Sequence, residues 1–132
     1  MKILSLPFFI HSVPAGFPSP ADDYLDRSLD LNTYLIKHPA ASYFARAKGD
    51  SMEGCGIYDG DLLIVDRSLE AQHGQIIIAA LDGQLTCKLL DKKKHCLLSA
   101  NKNYAPIHID EFSDLIIEGV VIHSVRHHVL LS

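Results

Sequence analysis

From residue 42 onward the apolar positions fall into short runs bounded by glycine, proline and charged residues, as strands do rather than long helices. The runs predict strands over Ser42–Ala47, Asp61–Asp66, Gln75–Leu81, Gln84–Leu90, His95–Ala100 and Ile107–Ile109, and a long one from Leu115 to about Val129. Asp82-Gly83 joins two of them as the two-residue turn favoured in type I′ hairpins. Asp91-Lys92-Lys93-Lys94 reads as a solvated hairpin tip rather than a nucleic-acid patch. Leu31, Tyr34 and Leu35 have helical spacing, with Asp30 as N-cap, Lys37 and His38 in the last turn and Pro39 as the stop. The chain is therefore expected to be mainly β, with one short N-terminal helix. Leu115-Ile116-Ile117 and Gly119-Val120-Val121-Ile122 are continuous rather than alternating. Both faces of that strand should be covered, by the rest of the domain or by a second subunit.

The front of the chain is different. Residues 1–15 combine Lys2, an apolar run and a small residue, which also allows a minimal secretory signal. Pro7 interrupts the run, His11 follows it and the basic region is a single lysine, so an extended arm is the better reading. Pro18 and Pro20 then suit an extended linker. Asp22, Asp23, Asp26 and Asp30 form an acidic run that reads as a solvated face. No run approaches the roughly 18 apolar residues of a membrane span.

At 132 residues the chain is expected to be one domain. A net charge of −4 argues against direct, sequence-independent binding of nucleic acid, which needs clustered Lys and Arg. Three cysteines without Cys-x-x-Cys spacing fit a reducing cytoplasm better than a disulfide framework or a zinc site. Cys55, Cys87 and Cys96 are expected to be packing residues. Of the eight histidines, His123 and His127 would share a strand face, yet no cysteine or carboxylate completes a ligand set, so neither metal nor cofactor is expected.

The candidate chemistry lies in residues 49–66. Four glycines in the twelve positions from Gly49 to Gly60 allow turns and close main-chain approaches around one serine, Ser51. Lys88 sits among Leu85, Cys87, Leu89 and Leu90, where an ammonium is poorly solvated. Its neutral amine could take a proton from Ser51. The residues alone leave another reading open: a turn-capping hydroxyl and a lysine that snorkels to water.

Gly49-Asp50-Ser51-Met52, then Asp59-Gly60-Asp61-Leu62-Leu63-Ile64-Val65-Asp66, then a lysine 37 residues after the serine, resemble the UmuD branch of the LexA-type self-cleaving Ser-Lys peptidases. Similar blocks run from Pro14 to Pro20, Asp30 to Asn32, Ala100 to Ile107 and Gly119 to His123. The resemblance implies a LexA/UmuD-like fold of curled antiparallel sheets. It implies Ser51 as nucleophile and Lys88 as general base. The oxyanion donors would be main-chain N–H groups of Asp50 and Ser51, in a loop shaped by Gly49 and Met52. The bond cut would be Ala15-Gly16. The implied partition is a cleavable arm over 1–15, a flexible linker over 16–29 and a peptidase-like domain over 30–132. The implied partners are a RecA filament on single-stranded DNA, a second copy of the chain and a UmuC-like Y-family polymerase subunit. Two other readings are a non-catalytic dimeric interaction subunit and a LexA-like repressor fragment. The latter is disfavoured because only 50 residues precede Ser51 and none reads as a helix-turn-helix.

Overall fold

The computed structural model describes residues 3–9, 12–18, 25–111 and 113–129, and the side chains of 25–27 are left aside. Lys2, His11, Pro20, Asp22, Asp23 and the side chain of Asp26, on which parts of the arm and linker readings rest, lie outside the described residues. The chain divides into two compact units, Met1–Lys37 and His38–Ser132. In the first, β1 (Ser5–Phe9) pairs antiparallel with β2 (Leu25–Asp30), Pro7 opposite Ser28. The segment expected to be linker over 16–29 thus carries a strand from Leu25 onward, which sequence patterning missed because Asp26 and Arg27 interrupt its apolar positions.

Helix α1 runs only from Leu31 to Leu35, a turn short of the expected length. Asp30 is its N-cap residue, and its carboxylate accepts a hydrogen bond from the Thr33 hydroxyl rather than from a main-chain N–H. Ile36 is already extended, and Pro39 opens a 3-10 turn over Pro39–Ala41. The residue before a proline is steered out of the α region, and His38 accordingly has φ −130° and ψ 76°.

The second unit is a seven-stranded antiparallel sheet. Its strands are β3 (Ser42–Arg46), β4 (Leu62–Asp66), β5 (Ile76–Leu81), β6 (Gln84–Asp91), β7 (Cys96–Leu98), β8 (Ile107–His108) and β9 (Leu115–Val125), in the spatial order β3-β4-β9-β5-β6-β7-β8. The sheet carries apolar clusters on opposite faces. Ile77, Ala79, Leu90, Leu97 and Val120 belong to one, and Ile78, Leu63, Val65, Met52 and Ile57 to the other. Neighbours Ile77 and Ile78 point to opposite sides, so an unbroken apolar run is what this strand needs. Asp82 (φ 50°) and Gly83 (φ 82°) form the turn between β5 and β6 with positive φ at both positions, as type I′ requires. At the tip after β6 the Asp91 carboxylate accepts the N–H groups of Lys93 and Lys94, and the three lysines are exposed.

β7 and β8 are shorter than patterning predicts; β7 starts only at Cys96 because His95 takes a positive φ of 51° to turn the hairpin and cannot continue a strand. β9 stops at Val125 rather than near Val129, because Arg126 leaves the sheet to bind Asp61. His127 therefore lies beyond the strand that holds His123, and the shared face does not form. Only the middle of β9 is enclosed: Val120 is buried, whereas Ile116 and Ile117 are 53% and 41% exposed.

β9 joins the two halves of the sheet. Its Val120–Val125 half pairs with β4 and its Leu115–Val120 half with β5; the β5 ladder shifts register at Glu118, beside Gly119, and the β4 ladder at Ile122. Gly119 has φ +149°, and a Cβ there would meet Val65 Cγ1 at 2.6 Å and Asp66 O at 3.2 Å. Gly119→Ala is expected to cost about 1–3 kcal/mol through strain and overpacking. Urea denaturation checks this; an unchanged midpoint would mean that the bulge absorbs a methyl group.

Candidate functional site

The Ser51 loop is held at both ends and from beneath. Gly49 (φ +87°) turns the chain after β3, and its N–H donates to Asp59 Oδ1 at 2.7 Å. Met52, 4% exposed, plugs into the core below and starts a 3-10 turn over Glu53–Cys55 that Gly56 (φ +80°) ends. Gly54 lies against the turn after β7: its N–H donates to Ala100 O at 2.7 Å, and a Cβ would stand 2.4 Å from that oxygen. The glycines here thus serve both turns and close approach.

Into this loop β6 delivers a lysine. Register places Lys88 opposite Ile77 in the central part of the sheet, and its Nζ donates to Ser51 Oγ at 3.0 Å. Lys88 is 8% exposed. Burial pushes its pKa below the ordinary lysine range, since the charged form loses hydration, and only the neighbouring Cys87 pulls the other way. No carboxylate pairs with the amine among the described residues. The Tyr104 ring centroid stands 5.6 Å from Nζ, and the Tyr104 hydroxyl donates to Asp50 Oδ1. Asn101 Nδ2 donates to Asp50 O at 3.0 Å. A neutral amine within hydrogen-bond reach of a hydroxyl can accept its proton, and an unpaired, desolvated lysine is suited to that task.

Beside Ser51 runs a groove of about 360 Å³, lined by Ala45, Ala47, Met52 and Ile57 and closed by Ile78 and Cys87. Its walls are largely apolar, with Arg46, Lys48 and Thr86 also lining it, and one rim is β3, an edge strand of the sheet. Cys87, half-buried at its wall, has a thiol pushed up to about 11, mainly by burial, so it is not a thiolate at neutral pH. Cys55, expected to be a packing residue, is exposed, since it closes a 3-10 turn on the surface; Cys96 is buried as expected. Ala15 and Gly16 lie in a bend of the first unit and are exposed, and a Cβ on Gly16 would meet nothing within 4 Å. Among the described residues no group of three or more His, Cys, Asp or Glu could hold a metal ion. Among them, too, no helix is long and apolar enough to cross a membrane.

Arg126 is a residue that sequence reasoning missed. It donates to both carboxylate oxygens of Asp61 (2.9 and 2.8 Å) and to Gly56 O (2.7 Å), and stacks on Tyr58 with 4.1 Å to the ring centroid. The far end of the Ser51 loop is thus pinned to the end of β9. No local pattern could have found a partner 65 residues from Asp61. Asp66, 1% exposed, is held in the same way by Ser68 and by His38 Nδ1 at 2.6 Å.

Residues 7–122 match the Peptidase S24-like family. Protein MucA of Salmonella typhimurium is 43% identical over 129 residues, covering 96% of this chain and 88% of that protein. Protein ImpA of Salmonella typhimurium is 45% identical over 125 residues, 94% and 82% of the two chains. The LexA repressor of Ectopseudomonas mendocina is 40% identical over 120 residues, 89% of this chain and 58% of that protein.

Asp61 is 2% exposed, and its hydrogen bonds from Arg126 hold its carboxyl below the usual range. A carboxylate whose folded pKa lies below its unfolded value of about 3.9 stabilises the fold above that pH, and the contribution is lost as pH falls through the folded value. Arg126→Ala is therefore expected to lower the urea midpoint at pH 7. Its deficit should shrink once the buffer is acid enough to protonate Asp61. A deficit that stays constant with pH would assign the loss to the Tyr58 stacking instead.

Proposed function

The chain belongs to the Peptidase S24-like family, in the UmuD-type branch of the LexA-like peptidases, and on that premise we propose that it cuts itself between Ala15 and Gly16 with Ser51 as nucleophile and Lys88 as general base. The observation that carries the proposal is the 3.0 Å approach of the buried Lys88 Nζ to Ser51 Oγ. The neutral amine takes the Ser51 proton as Oγ attacks the Ala15 carbonyl carbon. Main-chain N–H groups of Asp50 and Ser51, in the loop set by Gly49 and Met52, receive the oxyanion. Lys88 then gives the proton to the departing Gly16 nitrogen. The acyl group of residues 1–15 is left on Ser51, and water, deprotonated by Lys88, hydrolyses the ester.

Several features support this reading. The groove walls of Ala45 and Ala47 suit a small side chain before the cut, and the open edge of β3 offers main-chain groups to an extended segment. Tethering supplies a high local concentration of the scissile bond. On this reading a RecA filament on single-stranded DNA promotes docking of the arm. Residues 16–132 then act in the cytoplasm as a dimeric accessory subunit of a UmuC-like Y-family polymerase in SOS mutagenesis. The exposed Ile116 and Ile117 of β9 are apolar surface of the kind a second subunit covers.

Incubating the full chain with RecA filaments and weighing the products tests the proposal. The wild type should yield a species beginning at Gly16, while Ser51→Ala and Lys88→Ala stay intact and folded. Trimming of either variant at the wild-type rate would remove that residue from the mechanism. Without activator the rate should rise about tenfold per pH unit until pH reaches the lowered Lys88 pKa, because it follows the neutral fraction of the amine. A flat profile under single-turnover conditions would exclude lysine as base. Sedimentation of the trimmed chain at micromolar concentration decides the dimer, which a monomer would rule out.

A further inference from the structure

The turn after β7 does more than cover the core. It is braced internally: Asn101 O accepts the N–H of Tyr104 at 3.1 Å, and Asn101 Oδ1 accepts the N–H of Asn103 at 2.9 Å. From this base it meets the Ser51 loop three times, through Ala100 O on Gly54, Asn101 Nδ2 on Asp50 O and the Tyr104 hydroxyl on Asp50 Oδ1. The Tyr104 ring also faces Lys88 Nζ. One side chain thereby touches both the residue preceding Ser51 and the lysine.

We propose that Tyr104 is a positioning residue for self-cleavage: its hydroxyl fixes Asp50, and through it the main chain of Asp50 and Ser51, while its ring bounds the space open to the Lys88 amine. The proposal rests on the Ser51–Lys88 reading. Tyr104 is 45% exposed and its hydroxyl's partner Asp50 is exposed, so the contact has little to give to folding. What it restricts is a loop whose main-chain direction decides where an oxyanion is received. The Asp50 hydrogen bond raises the phenol's pKa, which keeps it a donor as the solution is made alkaline.

The two contacts can be separated. Tyr104→Phe keeps the ring and loses the hydroxyl, and Asp50→Ala removes the other partner. Each is expected to slow unaided self-cleavage of the full chain about tenfold, and the double variant no further than the slower single one, as for two halves of one interaction. The pH midpoint of Tyr104→Phe should match the wild type, since Ser51, Cys87 and the ring still face Lys88, and its melting temperature should be unchanged. In the Ser51→Ala background, Tyr104→Phe should speed amide exchange at residues 49–53, a readout that needs no cleavage. A wild-type rate in Tyr104→Phe, additive losses, a displaced midpoint or unaltered exchange would overturn the proposal. Cleavage by Ser51→Ala would instead sink the Ser51–Lys88 reading, and the exchange result would still judge the clamp.

Discussion

The second unit depends on one lysine amine kept out of water without a counter-charge among the described residues. Burial lowers the pKa of a lysine in that position, and the sheet accepts the cost because apolar clusters on both faces fix β5 and β6 independently of it. Cys87 and Leu89 pack into one cluster and Leu90 into the other, so the strand carrying Lys88 cannot slip to offer the amine to solvent. Ser51 is brought to it by a glycine-rich loop anchored in the core by Met52 and Ile57.

The buried carboxylates do the opposite work. Asp61 and Asp66 bracket β4, and each is ionised because fixed donors surround it: Arg126 and the Tyr58 N–H for the first, Ser68 and His38 for the second. They convert a strand boundary into a tie between distant segments. Charge is thus favoured inside where partners meet it, and disfavoured at Lys88, whose pKa burial lowers.

This division explains what could be read from the residues. The strands, the Asp82-Gly83 turn and the lysine tip follow from local period and turn chemistry, and the sheet contains them. The meeting of Ser51 with Lys88 was legible through the order of motif blocks rather than through either residue. Asp61 and Asp66 read only as the two ends of a strand, since their roles depend on partners up to 65 residues away. Tyr104 gave no signal, being an ordinary aromatic in a turn. The helix is shorter than the spacing of Leu31, Tyr34 and Leu35 predicts, because Ile36 is already extended, well ahead of Pro39. β2 was lost to its charged residues.

The position of β9 has a consequence for the order in which the molecule comes into being. β4 and β5 are consecutive in the chain but not in the sheet, because β9 lies between them. During synthesis from the N-terminus, β3–β4 and β5–β8 can form as separate ribbons, each with an edge awaiting a partner that is translated last. Only when residues 115–126 emerge from the ribosome do the halves join and Arg126 reach Asp61 and Gly56. The loop that carries Ser51 therefore lacks its Arg126 tie until β9 has been made, and the candidate site is completed late in synthesis.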